Sequence, residues 1–290
     1  MGIREREYVG GVGNSDGIGG RLSGVAPSSI LVFAHELGHQ FGAGHTFNGN
    51  GSGNCGPGNR MNSHAYEPGS GNTIMSYANL CSPGSYNLTG GKVPYFHTHN
   101  QTTMIDHIVT RPAGCGVVSN TNNAAPVVAA LSSITIPKNT PFSLSGSATD
   151  SDGDAITYTW EQYDLAAVSD TGSLGNTPNA SNSTAVNSTT APLFRTRQST
   201  NGTRNFPDIL YVLNDANNPA DNIGEDLPNV GRVMNFRLTA RDNKAGGGGV
   251  AFGEVEVTVD GTSGPFELTI GNGSTLWFQG TNTIINWNVN

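Results

Sequence analysis

Three stretches in the second half of the chain alternate apolar and polar side chains. Ile156, Tyr158 and Trp160 are separated by Thr157 and Thr159. Met234, Phe236, Leu238 and Ala240 are separated by Asn235, Arg237 and Thr239, and Val255, Val257 and Val259 alternate with Glu254, Glu256 and Thr258. A period of two predicts strands with one face inward and one in water, as an antiparallel sandwich needs. The first half reads differently. The apolar run Ile30-Leu31-Val32-Phe33 suits a buried helix, opened by Pro27-Ser28-Ser29 with Ser28 or Ser29 as N-cap and ending near Phe41-Gly42. A second helix is predicted over Asn100 to Ile108, and residues 46–71, full of Gly, Asn and Pro, read as loop. Ahead of the first helix, Glu7-Tyr8-Val9 reads as a strand and Leu22 to Val25 as a second, within glycine-rich loop.

These patterns divide the chain. Residues 1–118 form a helix-and-loop domain, and Ser119 to Pro126 is a linker. Residues 119–260 form an all-β sandwich, in which Ser169 to Thr190 is a low-complexity Ser/Thr/Asn insertion expected as a mobile loop. From Gly261 the pattern restarts, with Phe266 to Ile270 and Thr283 to Trp287 as opening strands of a further sandwich that about 30 residues cannot complete. The expected class is α+β.

Composition narrows the function. Of 290 residues 40 are glycine and only 12% are charged, a composition common in secreted bacterial proteins. A net charge of -8 offers no basic surface for nucleic acid. No apolar run reaches a membrane span, and the first seven residues hold no signal-peptide core.

The chemistry concentrates in residues 35–45, His-Glu-Leu-Gly-His-Gln-Phe-Gly-Ala-Gly-His. Four apart on a helix, His35 and His39 share a face and can reach one ion. Gly42 permits a sharp turn, with positive φ, that brings round His45 as third ligand. Three histidines leave a fourth position open, the mark of a catalytic rather than a structural zinc site, and Glu36 stands where it can act on a water beside the metal. Asp150, Asp152 and Asp154, around Gly153, offer hard oxygen ligands that suit calcium. The alternative is an Asp-rich turn that only makes hydrogen bonds.

The pattern His-Glu-x-x-His-x-x-Gly-x-x-His, followed by Met75 in Asn72-Thr73-Ile74-Met75-Ser76-Tyr77, resembles the metzincin metalloproteases over roughly residues 8 to 115. The run from Glu67 to Tyr77 looks like bacterial reprolysin-like members, although Thr46 stands where adamalysin-type enzymes usually carry Asp. The resemblance implies that Met75 is an apolar floor under the histidines and that Tyr77 contacts the metal or a transition-state oxyanion. It also implies hydrolysis of extended polypeptides, with Glu36 as general base. Residues 149–160 resemble the PKD and cadherin-like sandwich modules of secreted bacterial enzymes. His64, His97 and His99 are expected near the site or at the surface, not as ligands.

Cys55 and Cys81 flank the Met-turn and would pin the loop between it and the third histidine, in an oxidising compartment, with Cys115 left over; three free thiols is the alternative. A metzincin domain usually places several strands ahead of its zinc helix, and only 34 residues precede His35 here. The expectation is therefore a fragment that is a weak enzyme or none, although its zinc site is complete. The rival reading is a surface adhesin that works through its sandwich modules, and a zinc hydrolase of non-peptide substrates is a third.

Overall fold

The structure is a computed structural model that describes residues 27–50, 52–82, 86–110, 119–171, 185–217, 219, 223–268, 279–280, 282 and 285–289. The expected strands at Glu7-Tyr8-Val9 and Leu22 to Val25, Cys115, and positions 172–184 of the Ser/Thr/Asn insertion lie outside these residues. The described part is mixed, with a few helices and mostly strands. Among the described residues no helix is long and apolar enough to cross a membrane.

The first unit is built from helix α1, Pro27–Gln40, and helix α2, Thr98–Val109, with a two-residue strand pair, β1 (Ser52–Gly53) and β2 (Cys81–Ser82), in the intervening loops. Ser28 and Ser29 are inside α1, so neither is its N-cap. Pro27 is tolerated in a first turn because its missing N–H would have no helical partner there. His97 caps α2, its side chain accepting from His99 N–H.

The second unit holds β3 (Val127–Val128), β4 (Ile134–Pro137), β5 (Phe142–Ser145), β6 (Ala148–Thr149), β7 (Thr157–Gln162), β8 (Arg197–Ser199), β9 (Thr203–Phe206), the short helix α3 (Ile209–Leu213), β10 (Arg232–Arg241) and β11 (Val250–Asp260). Five strands form one sheet in the order β4-β11-β10-β7-β8. The β5–β9 and β3–β6 pairs are antiparallel. The three alternating stretches fall on β7, β10 and β11, with Phe236 opposite Val255 and Leu238 opposite Trp160. Their inward residues join Phe142 of β5, Phe206 of β9 and Phe194 in one core, where Phe142 stacks on Phe206 at 4.8 Å between ring centroids.

Two expectations need correction. The sheet is not wholly antiparallel, because β4 runs parallel to β11 at its edge. Nor does the outer face meet water throughout. Strand β11 keeps clean alternation, and β10 keeps it only from Arg232 to Asn235; from Phe236 onward both faces are buried. The reason is that the first unit docks there. Glu161 accepts from Thr98 N–H at 2.9 Å, Arg237 donates to Thr102 Oγ1 at 3.2 Å, and Arg241 donates to the Phe96 carbonyl at 3.2 Å.

The ends of the Ser/Thr/Asn insertion are pinned rather than loose. Asp170, in a helical turn at Val168–Asp170, accepts from Ser188 and Thr190, and Asn48 of the first unit donates to the Asp170 carbonyl. Beyond residue 261, β12 (Phe266–Leu268) pairs with β13 (Trp287–Val289), and all six residues are exposed.

Candidate metal centre

Helix α1 presents His35, Glu36 and His39. At its end Gly42 takes φ +86, and Ala43 N–H closes back on the Gly38 carbonyl at 3.0 Å. The chain reverses and delivers His45 beside the other two. The three imidazoles are 6 to 8% exposed.

Their orientation is set by backbone carbonyls. Nδ1 of His35 faces Ile74 O at 2.7 Å, Nδ1 of His39 faces Ala43 O at 2.9 Å, and Nδ1 of His45 faces Asn59 O at 2.7 Å. A carbonyl can only accept, so each Nδ1 carries the proton and each Nε2 carries a bare lone pair. Those lone pairs converge: Nε2 of His45 lies 3.3 Å from that of His35 and 3.1 Å from that of His39. With no proton between them these are not hydrogen bonds, and the arrangement is repulsive without a cation. Two nitrogens bound tetrahedrally to zinc at ordinary bond lengths stand about 3.3 Å apart, so the set fits zinc. Burial, followed by the neighbouring charges of His39 and His45, holds His35 well below the usual histidine range. Burial and His39 push His45 down to about 3. Both therefore stay neutral, as metal ligands must.

Met75 is fully buried under α1, so close that a Cβ at Gly38 would sit 2.6 Å from its sulfur and 3.0 Å from the Phe96 ring. The side chain of Tyr77 lies against the ligands, its ring centroid 4.5 Å from His45 and 5.8 Å from His35. Among the described residues Glu36 Oε2, on the residue next to His35 in the chain, is buried and accepts no hydrogen bond. Cys55 and Cys81 form a disulfide that packs with Phe47 and Tyr77.

Two positions not singled out in the sequence support the centre. Glu67, 1% exposed, accepts from Thr46 Oγ1, from the backbone N–H groups of Asn72 at 2.8 Å and Thr73 at 3.0 Å, and from Thr73 Oγ1 at 2.6 Å. One buried carboxylate thus ties the residue after the third histidine to the Met75 turn. Thr46 stands where the resemblance leads one to expect Asp, and the carboxylate arrives from Glu67 instead. The available signal was an acidic residue just ahead of Pro68-Gly69-Ser70-Gly71, in a chain with few charges. Lys92 donates to Ile74 O at 2.9 Å, the carbonyl that also holds His35. Burial lowers Lys92 to about 8, against the raising pull of Glu67 and Glu36.

His64, His97 and His99 stand apart from the ligand set. His64 Nδ1 and His99 Nε2 are 2.5 Å apart, and the Tyr66 ring lies over both His97 and His99. The structure does gather Asp150, Asp152 and Asp154. However, Asp150 accepts from the backbone N–H groups of Asp152 and Asp154, Asp152 accepts from Ala124 N–H, and Lys244 contacts both oxygens of Asp154 at 2.9 Å. These are the bonds of an Asp-rich turn, and beside them Asp150 Oδ2 is buried with no hydrogen-bond partner among the described residues.

The buried, convergent imidazoles of His35, His39 and His45 make a group that could hold a metal ion. Residues 2–87 match the family model Reprolysin_5, metallo-peptidase family M12, a span that includes all three histidines, Glu36, Glu67 and Tyr77. The match supports a metallopeptidase, for which the substrate is a polypeptide. No curated protein matches the chain.

Proposed function

We propose that the chain is a secreted zinc endopeptidase of metzincin type, in which the β unit is a PKD- or cadherin-like sandwich. The observation that carries the metal assignment is the convergence of three bare Nε2 atoms, each fixed by a carbonyl on its Nδ1. His35, His39 and His45 would hold zinc, which when bound supplies Lewis acidity toward a carbonyl oxygen and toward water. Glu36 takes a proton from water at its buried Oε2 and returns it to the leaving amine. Tyr77, whose ring lies tilted against His45, would donate to the oxyanion. The Cys55–Cys81 disulfide agrees with an oxidising compartment. Calcium is left out of the reading because Lys244 neutralises Asp154.

The test is hydrolysis of denatured casein by purified protein. About one zinc per chain is expected, with activity lost to a chelator and restored by added zinc. Chelator-resistant hydrolysis, or no zinc uptake, would overturn the proposal.

A further inference from the structure

We infer that Glu161, Thr196 and Arg241 of the β unit are positioning residues for the metal centre, so that the sheet is part of the centre's scaffold and not a separable module. The inference rests on the zinc reading above.

The path is short. Asn72 and Tyr95 belong to two segments bonded to each other, Val93 N–H to Asn72 O at 2.7 Å and Ile74 N–H to Tyr95 O at 3.0 Å. Thr196 grips both segments: its carbonyl accepts from Asn72 Nδ2 at 3.2 Å and its Oγ1 lies 3.2 Å from Tyr95 Oη. Between them stands Ile74, whose carbonyl fixes His35. One residue on, the Phe96 ring packs under Gly38, between the two helical ligands, and its carbonyl is held by Arg241. Two residues further, Glu161 takes the Thr98 N–H at the start of α2. The segment that floors the metal helix is therefore held at 95, 96 and 98 by three groups of the β unit, two on the sheet and Thr196 just ahead of β8.

The sheet itself supplies the contrast. Glu254 and Glu256 also project from its outer face, and both are exposed, as solubilising charges should be. Glu161 is 0% exposed and Arg241 8%, and Thr159 and Thr239 hydroxyls complete the Glu161 carboxylate. Burying a charge costs free energy unless donors surround it. A face that only glued two domains could have done so with apolar residues. This one places directional groups on the backbone that carries the ligand supports.

The experiment measures zinc affinity in the full chain by competition with a chromophoric chelator, beside thermal unfolding of the metal-free protein. Arg241→Met should weaken zinc binding about tenfold, since supports of a ligand shell commonly cost about 10- to 100-fold. Arg241→Lys should recover part of the loss. Thr196→Val, which keeps shape and removes only the bond to Tyr95, should weaken binding severalfold and serves if Arg241→Met does not fold. Val257→Ala, in the core on the other face, should lower the melting temperature and leave zinc affinity unchanged. Wild-type affinity in both Arg241→Met and Thr196→Val, with lowered melting temperatures, would show that the interface is only glue and would sink the inference. A wild-type chain that takes up no zinc would instead overturn the function proposed above.

Discussion

In the β unit four phenylalanines, 142, 194, 206 and 236, meet ring to ring at 4.8 to 6.1 Å inside one continuous core. Around the metal centre the described apolar clusters are small, Ala43 with Ile74 and Met75, and Phe47 with the disulfide. There the shape is held by polar atoms: Glu67 on four donors, Asn48 on Arg60, and carbonyls on three imidazoles. The difference follows from what each region must do. Dispersion and burial are strong in sum but nondirectional, so they make a stable body. Aiming three lone pairs at one point needs hydrogen bonds, whose angles are restrictive. Among the described residues, the region around the candidate metal site is thus the one with the smaller core, and it is bonded to the region with the larger one.

That division can be broken from either side. The largest effect belongs to Glu36→Gln, which should lower hydrolysis by about 10²- to 10⁴-fold, the usual cost of a missing general base, with zinc content and melting temperature held. Near-normal turnover would remove Glu36 from its role. From the other side, Phe236→Ala should cost about 3–5 kcal/mol of stability by leaving a cavity in the sheet core, read as a lower urea midpoint. If Phe236→Ala instead left the midpoint unmoved, the β unit would not be the stabilising body.

A third change probes the polar supports. Glu67→Gln keeps size but sets an NH2 group among Thr46, Thr73 and two backbone N–H donors, so at least one donor loses its acceptor. Zinc affinity should fall about 10- to 100-fold by analogy with other ligand supports. Unchanged affinity would mean that the third-histidine loop and the Met75 turn hold position without their shared carboxylate.

The same contrast explains what could be read from the sequence. The strands at Thr157–Gln162, Arg232–Arg241 and Val250–Asp260 were legible because a sheet with one apolar face writes period two into the chain. The convergence of three histidines was legible because helix geometry fixes the spacing of His35 and His39, and a turn at Gly42 brings round His45. Glu67 and Lys92 were not, because an irregular backbone relates residues by no period. The buried outer face of β10 was not either. Arg237, Thr239 and Arg241 look like solvent-facing residues in sequence, and only docking of Phe96, Thr98 and Thr102 turns them inward-bound. The parallel β4 was hidden for a related reason, since Ile134 to Pro137 pairs with residues more than a hundred positions away.

The smallest expected effect lies at the junction itself, where His99 of α2 stands between His64 and, on the β unit, Tyr163, whose ring lies under the Arg237 guanidinium. Burial first, then the charges of His64, His97 and Arg237, pushes His99 down to about 3. In the unfolded chain a histidine takes a proton near pH 6.5. Below that pH the unfolded state therefore binds more protons than the folded one, and stability falls as pH drops from about 6.5 toward 3. One such group contributes at most about 1.4 kcal/mol per pH unit in that window. In His99→Phe the ring stack on Tyr66 is kept and the titration removed, so metal-free His99→Phe should lose less stability than wild type between pH 7.5 and 5.5 in urea unfolding. Parallel losses in the two proteins would show that the junction histidine takes up no extra proton on unfolding in this range.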